Sequence, residues 1–524
     1  MLEVDSRYAL PVKSKPLNIW IVTINKLLKI CNKTKAFLIF LPFTLFHFYF
    51  LNKPIIGEMH DFRQAQTSLL TRSFIENGVN LESPMPIFGT NSNIPMEFPL
   101  FQILSAGISS ILKVNSSIST RMLSIIFFQI TAILTYFVAK RFLRKDIGFS
   151  FLLLFQATPF ALVWGHSALI EWMPIAFILA SVLCADMWAK QDSRINSILL
   201  VCLSCMFFIT GFLVKVTTGI ALTTLILVIL AKSKNGKNLA EKSLKTKSLF
   251  IALTIILALA ASEAWTNYSD GIKQSNRMTT FLTSNSQQNR ILGSLSQRLS
   301  LSTWTHIFDD WGGIFGGATI ILFLSIALIL SKNERPFIFI IFLSSLVGPL
   351  VFTNLYYIHN YYSIVIYPCI VLLAAFLISK IEVFTVFKNN LFKSFVIFLI
   401  MGGAFFTSSG RGYAFSLLHP DRKTSEILKI KTNVPGTEGV LYLGCDWSPV
   451  WPYETNHPAL MIPSIVGDAI DWKLKNIELE NISHIYICDP NKDTKMIKIK
   501  SNLLPDGYSS FEEIAPGLYK IDKG

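Results

Sequence analysis

The chain is 524 residues long, with 52% hydrophobic residues, only 15% charged ones and a mean hydropathy of +0.48. A soluble domain carries about 25% charged residues, so the composition excludes a large water-soluble enzyme. It points to a polytopic α-helical membrane protein, in which the net charge of +14 reports topology rather than a nucleic-acid surface.

Residues 17–31 mix Ile, Leu and Trp with Lys26 and Lys29, the pattern of an interfacial helix. Nearly uncharged runs long enough to span a bilayer then occur at 36–52, 122–139, 147–164, 172–189, 196–212, 216–231, 249–266, 313–331, 336–353, 363–379 and 391–408. These predict about eleven spans. The first follows Lys33 and Lys35 and is not trailed by a small-residue cleavage site, so it reads as a retained helix rather than a signal peptide.

With the N-terminus (1–35) in the cytoplasm, the inner segments hold 24 Lys and Arg in 83 positions and the outer segments 10 in 137. That bias is about fourfold in the direction of the positive-inside rule. The expected location is therefore the cell inner (plasma) membrane, with 36–408 as the membrane domain and 409–524 on the periplasmic or extracellular side. The C-terminal segment lacks a spanning run. Its strand-like runs GVLYLGC (439–445) and HIYIC (484–488) alternate with helix-like TSEILKIK (424–431) and GDAIDWKLK (467–475), which predicts an α/β extracytoplasmic domain. Cys445 and Cys488 each end a predicted strand; in an oxidising compartment they are either bridged or two buried thiols. Cys202 and Cys205 have no second ligand pair nearby, so zinc chemistry is not indicated.

The chemistry is expected in the outer loops. The first, 53–121, is unusually long for a connection between spans. It contains Gly57-Glu58-Met59-His60-Asp61-Phe62-Arg63, a helical stretch at 64–77, and Pro95-Met96-Glu97-Phe98-Pro99. Asp61 sits where a helix begins, and a simple N-cap is the plain alternative to a chemical role. A carboxylate beside a guanidinium stays ionised and can accept a proton.

An Asp soon after the first span, RQAQT at 63–67 and EFPLFQ at 97–102 resemble the GT-C fold glycosyltransferases, in particular the family 39 and ArnT-like branch with the protein O-mannosyltransferases and aminoarabinose transferases. In register follow Glu171 at the end of His166-Ser-Ala-Leu-Ile-Glu171, Lys215 in GFLVKVTTG, and His359-Asn360-Tyr361-Tyr362 ahead of a span with Pro368. The resemblance covers most of 36–380. It implies an inverting transferase that moves a sugar from a polyprenyl-phosphate donor, such as an undecaprenyl phosphate sugar, to a cell-envelope acceptor: lipid A or another lipopolysaccharide lipid, a glycan or a protein.

On that resemblance Asp61 and Glu171 are the catalytic candidates, Asp61 as base and Glu171 orienting the sugar or a metal. Arg63, Glu97, Lys215, His359, Tyr361 and Tyr362 are the carrier-phosphate and sugar contacts. The plain alternatives are a snorkelling Lys215, a first-turn carboxylate at Glu171 and interfacial-belt tyrosines. His60 and His166 are candidate ligands for a divalent metal, but no HxxxH or HxxE spacing supports a preformed site, so metal dependence stays open and no other cofactor is expected. The 267–312 segment, rich in Ser, Thr, Asn and Gln, is expected as a lid loop, with Trp304, His306, Asp309 and Asp310 as further sugar contacts. The expected partners are the donor, the acceptor and membrane lipids, with no nucleic acid, acting on a monomer. A lipid-linked-substrate transporter or flippase is the rival class; it would carry charges within its spans and internal repeats.

Overall fold

The computed structural model describes residues 34–89, 92–143, 147–230, 242–276, 278–315, 324, 326, 334–381, 398–399, 402–418, 424–436, 438–462, 482–488 and 508–523. The expected interfacial helix at 17–31, the 467–475 stretch, most of the run 313–331 and half of the run 391–408 lie outside these residues.

Four described helices are long and apolar enough to cross a membrane: Ser116–Phe142, Trp172–Ala189, Arg194–Val214 and Leu244–Ser275. Several other runs are shorter or interrupted. The 147–164 run divides into helices Gly148–Ala157 and Pro159–Trp164. Pro159 has no N–H to give the preceding turn and drives Thr158 to ψ 151, where its hydroxyl caps Ala161 N. The 216–231 run starts as helix Val216–Leu222 and tightens into 3-10 turns over Thr223–Leu230, while the 363–379 run becomes 3-10 turns at Asn360–Ile364 followed by helix Tyr367–Ile381. The segment expected as a lid loop is mostly helical: Leu244–Ser275 runs into it, and Ser284–Leu292, Leu295–Leu299 and Leu301–Phe315 follow.

The first outer loop holds two helices, Asp61–Asn77 and Leu100–Leu112. The second was not expected, because its 13 residues are too short to read as a span. It turns Phe101 and Ala106 inward and leaves Leu104, Ile111 and Leu112 exposed.

Both ends of this loop are held by one guanidinium. Arg121, fully buried in the second turn of Ser116–Phe142, donates to the carbonyls of Phe50, Leu51, Lys53 and Pro54 and pairs with Glu58 at 2.8 Å. Arg fits because its rigid fork offers five donors that a lysine could not direct to as many acceptors.

The C-terminal segment forms a five-stranded mixed sheet in the order β2-β1-β3-β5-β4. Strands β1 (Gly439–Leu443), β2 (Ala459–Met461) and β3 (Ile482–Ile487) are mutually parallel where they pair, and β4 (Tyr508–Ala515) and β5 (Leu518–Lys523) form an antiparallel hairpin joined to β3 through β5. Burial on both faces explains the apolar runs in β1 and β3. The sheet is not a detached module. Residues 86–89 of the first loop bond along the free edge of β2, from Ala459 N to Pro86 O (2.9 Å), Met461 N to Ile87 O (2.8 Å) and Gly89 N to Ala459 O (2.8 Å). Ile55, Leu69, Phe74 and Ile87 share one apolar core with Val440, Tyr442, Trp451 and Leu460.

Cys445 and Cys488 are disulfide-bonded and join the ends of β1 and β3. Maleimide labelling of the denatured protein is expected to modify neither of them until a reductant is added. Replacing both by Ser is expected to lower stability by about 2–4 kcal/mol in thermal unfolding, since the bridge closes a long loop in the unfolded chain. Arg121→Met is expected to cost about 3–5 kcal/mol, because it strands Glu58 and a row of carbonyls without a donor. A loss below about 1 kcal/mol would refute the clamp.

Candidate active site

The site is an open cleft of about 430 Å³, bounded by the loop between the first and second apolar runs and by the breaks at 165–171 and 215. Arg63, Glu97, Glu171 and Lys215 line it, with Gln66 and Gln102.

Each charged group reaches the cleft through a local backbone feature. Arg63 lies on the first turn of Asp61–Asn77, a helix whose inward face is largely polar: Gln64, Gln66, Thr67, Ser68 and Thr71 are all buried. Gln64 ties that helix to the neighbouring segment by accepting from Ala168 N (2.8 Å) and donating to Met59 O (3.0 Å). Glu97 stands in an extended stretch. Trp265 Nε1 donates to Met96 O (3.0 Å), Ser269 to Pro95 O (2.6 Å), and Phe98 N to Leu213 O (3.2 Å), so the stretch is fixed beside Lys215. Lys215 is the extended residue between helices Arg194–Val214 and Val216–Leu222, and Glu171 directly precedes Trp172–Ala189.

The side chains interlock. Lys215 Nζ pairs with Glu171 Oε1 and lies over the rings of Tyr361 (5.1 Å) and Tyr362 (4.6 Å). Arg63 donates to Tyr361 OH (3.3 Å) and Gln66 Oε1 (2.7 Å), and its other nitrogen is 3.7 Å from Glu97. Two cations and two carboxylates thus share one cleft and sum to no net charge. Burial pushes the Glu97 carboxyl up, but Arg63 first and then Lys215 outweigh it and hold it below its ordinary value. Tyr361 and Tyr362 are almost fully buried, so they are not belt residues, and Lys215 is buried in an ion pair, so it does not snorkel.

The other expected residues lie apart. Asp61 is half-buried and is the first helical residue rather than the cap: His60 occupies the cap position in the left-handed region (φ 52) and makes no side-chain cap bond. The Asp61 carboxylate accepts from Gly57 N (3.1 Å), and Asp61 is not among the residues lining the cleft. His60 is bonded to Asn360 (3.0 Å) and packs against His359, Tyr361 and Trp164. Burial lowers His60 to about 4 and His359 to about 3. At neutral pH His359 is therefore an uncharged donor and acceptor rather than the phosphate cation expected from sequence.

His166 is buried against His47 (3.1 Å) and stacked on Phe50. Among the described residues, no three His, Cys, Asp or Glu converge as they would around a metal ion. Trp304 donates to Arg298 O, His306 faces Tyr357, and burial raises Asp310 to about 6. The residues that sequence reasoning missed are Gln66 and Arg121. Gln66 carries no charge to flag it, and Arg121 reads as an ordinary loop cation ahead of a span.

Residues 95–264 match the family model described as dolichyl-phosphate-mannose-protein mannosyltransferase. A comparison with curated proteins finds no match. Among solved structures, the chain is similar to ArnT from Cupriavidus metallidurans bound to undecaprenyl phosphate, at 12% identity and a TM-score of 0.59, covering 93% of this chain and 98% of that one. The chain has the GT-C fold. The apo form of the same ArnT matches with a TM-score of 0.56 at 12% identity, covering 96% of this chain and 98% of that one. The archaeal oligosaccharyltransferase AglB from Archaeoglobus fulgidus, in complex with an inhibitory peptide and a dolichol-phosphate, matches at 10% identity and a TM-score of 0.52, covering 94% of this chain and 74% of that one. The GT-C resemblance to the ArnT-like and protein mannosyltransferase branch, carried by RQAQT and EFPLFQ, is met by these comparisons.

A histidine kept neutral by its folded surroundings binds fewer protons than it does unfolded. Between about pH 6.5 and pH 4 the unfolded chain of this GT-C protein therefore takes up more protons, and stability falls as pH drops through that window. Thermal unfolding from pH 7.5 to 4 should show this slope, and His60→Gln combined with His359→Gln should make it shallower while leaving the part that burial of His166, His457 and His484 supplies.

Proposed function

We propose that this chain is an inverting glycosyltransferase that moves a sugar from a polyprenyl-phosphate donor to a cell-envelope acceptor at the outer face of the membrane. The observation that carries the reading is the pairing of Arg63 and Lys215 with Glu97 and Glu171 in one cleft. The bound carrier in the similar ArnT structure supports the donor class. The disulfide supports an oxidising compartment for the C-terminal sheet, hence an outward C-terminus and a cytoplasmic N-terminus in the inner membrane.

In this reading the acceptor oxygen attacks the anomeric carbon on the face opposite the phosphate. The bond from that carbon to the phosphate oxygen breaks, and its electron pair leaves with the phosphate. Arg63 and Lys215 stabilise the charge that grows there, Arg63 as a fork and Lys215 as a point charge. An incoming phosphate shares Lys215 with Glu171 and Arg63 with Glu97, the ion pairs having held the two cations in place beforehand. The base that the resemblance assigns is Asp61, whose carboxylate lies outside the cleft lining and accepts from Gly57 N; in this reading the acceptor approaches from that side and gives its proton to Asp61, or is positioned by it when already an anion. Tyr361 keeps its proton, because burial and the neighbouring Tyr362 push its phenol well above the ordinary value, and it donates a hydrogen bond to the donor phosphate.

The test supplies purified protein with polyprenyl-phosphate sugars and a cell-envelope extract and follows transfer of labelled sugar. Lys215→Met and Arg63→Ala are expected to lower kcat/KM by about 10²–10³, and Asp61→Asn by about 10² or more. Full activity in Asp61→Asn would remove the base assignment. Full activity in both cation variants would overturn the phosphate site.

A further inference from the structure

Two buried polar atoms on the wall of the cleft have no partner: Gln66 Nε2 and Glu171 Oε2. Their residues are 6% and 2% exposed. Both orientations are fixed by the partner of the sister atom. Gln66 Oε1 accepts from Arg63, which turns the amide nitrogen away, and Glu171 Oε1 is taken by Lys215, which leaves Oε2 free. A buried donor or acceptor left unmade is costly, so an unmet donor and an unmet acceptor on two residues that line one cleft mark the kind of partner a ligand there can supply.

We propose that Gln66 and Glu171 read hydroxyl groups of the transferred sugar, and that they restrict the donor to sugars carrying hydroxyls and no acid group. A hydroxyl is uncharged and both donates and accepts: it donates a hydrogen bond to Glu171 Oε2 and accepts one from Gln66 Nε2, within a single hydroxyl or across two neighbouring ones. A carboxylate in the same place offers acceptors only and meets Glu171 and Glu97. The cations that could offset it, Arg63 and Lys215, are those that the donor phosphate engages. This inference rests on the transferase reading above and extends it to the class of sugar.

Binding separates the two. The full-length protein in detergent is titrated with polyprenyl phosphate alone and with polyprenyl-phosphate carrying a neutral pentose, a neutral hexose or a hexuronic acid. In the wild type at least one neutral sugar is expected to bind about tenfold or more tighter than the bare carrier, and the hexuronic acid no tighter than the bare carrier. Gln66→Met removes the donor. Gln66→Glu keeps an oxygen for Arg63 but replaces the donor with an acceptor. Each is expected to erase most of the neutral-sugar advantage, read within each variant as the ratio of sugar-bearing to bare-carrier affinity, because a change at the Arg63 partner shifts both affinities together. The proposal is overturned if the hexuronic acid binds as well as the neutral sugars, if no sugar adds to the affinity of the bare carrier, or if both variants keep the advantage. Should the sugar preference appear and respond to Gln66 while no acceptor is ever glycosylated, the transferase reading fails and the sugar site stands.

Discussion

The outer half of the molecule depends on one guanidinium. Residues 53–121 would otherwise be a long tether between two helices, with Arg63, Glu97 and their neighbours free to wander. Arg121, at the end of that tether, seizes four carbonyls and a carboxylate at its beginning and converts it into a closed loop. A buried charge of this kind is expensive unless nearly all of its donors are met. Here the fork supplies the number and directions of bonds that the chain end requires. The Asp61–Asn77 helix then starts only a few residues beyond Glu58, with little freedom in where Arg63 points.

The cleft built on this base is balanced rather than basic. A site with two unpaired cations would hold any anion, including chloride and headgroup phosphate. Pairing Lys215 with Glu171 and Arg63 with Glu97 leaves little uncompensated positive charge for a chance anion, so general affinity is exchanged for selectivity. The aromatic faces of Tyr361 and Tyr362 hold the Lys215 ammonium in position from the other side.

Much of this was legible in the sequence, for identifiable reasons. Charges are so scarce between spans that Arg63, Glu97, Glu171 and Lys215 stand out, and all four converge in the structure. Strands β1 and β3 were visible as apolar runs ending in cysteines. Helix Leu100–Leu112 was not, because its 13 residues are too few to read as a span. The helices of 284–315 were hidden by a Ser, Thr and Asn composition that normally marks irregular chain, and the break at Thr158 was concealed within a run of unbroken hydropathy. Gln66 was unreadable, since a glutamine in a helix announces nothing until its neighbours are placed. The neutrality of His359 is likewise a product of burial, which the local sequence does not encode.

The pairing of residues 86–89 with β2 carries an implication for how the protein is made. The first loop emerges from the ribosome early, yet the strand it must join, around Leu460, follows more than 350 positions later. At roughly 5–20 residues per second the loop waits on the order of tens of seconds for its companion. During that interval the apolar faces of Ile55, Leu69 and Phe74 are uncovered outside the membrane. The core shared by the first loop and the sheet, and with it the wall of the cleft, therefore closes only once the residues around Leu460 have been made.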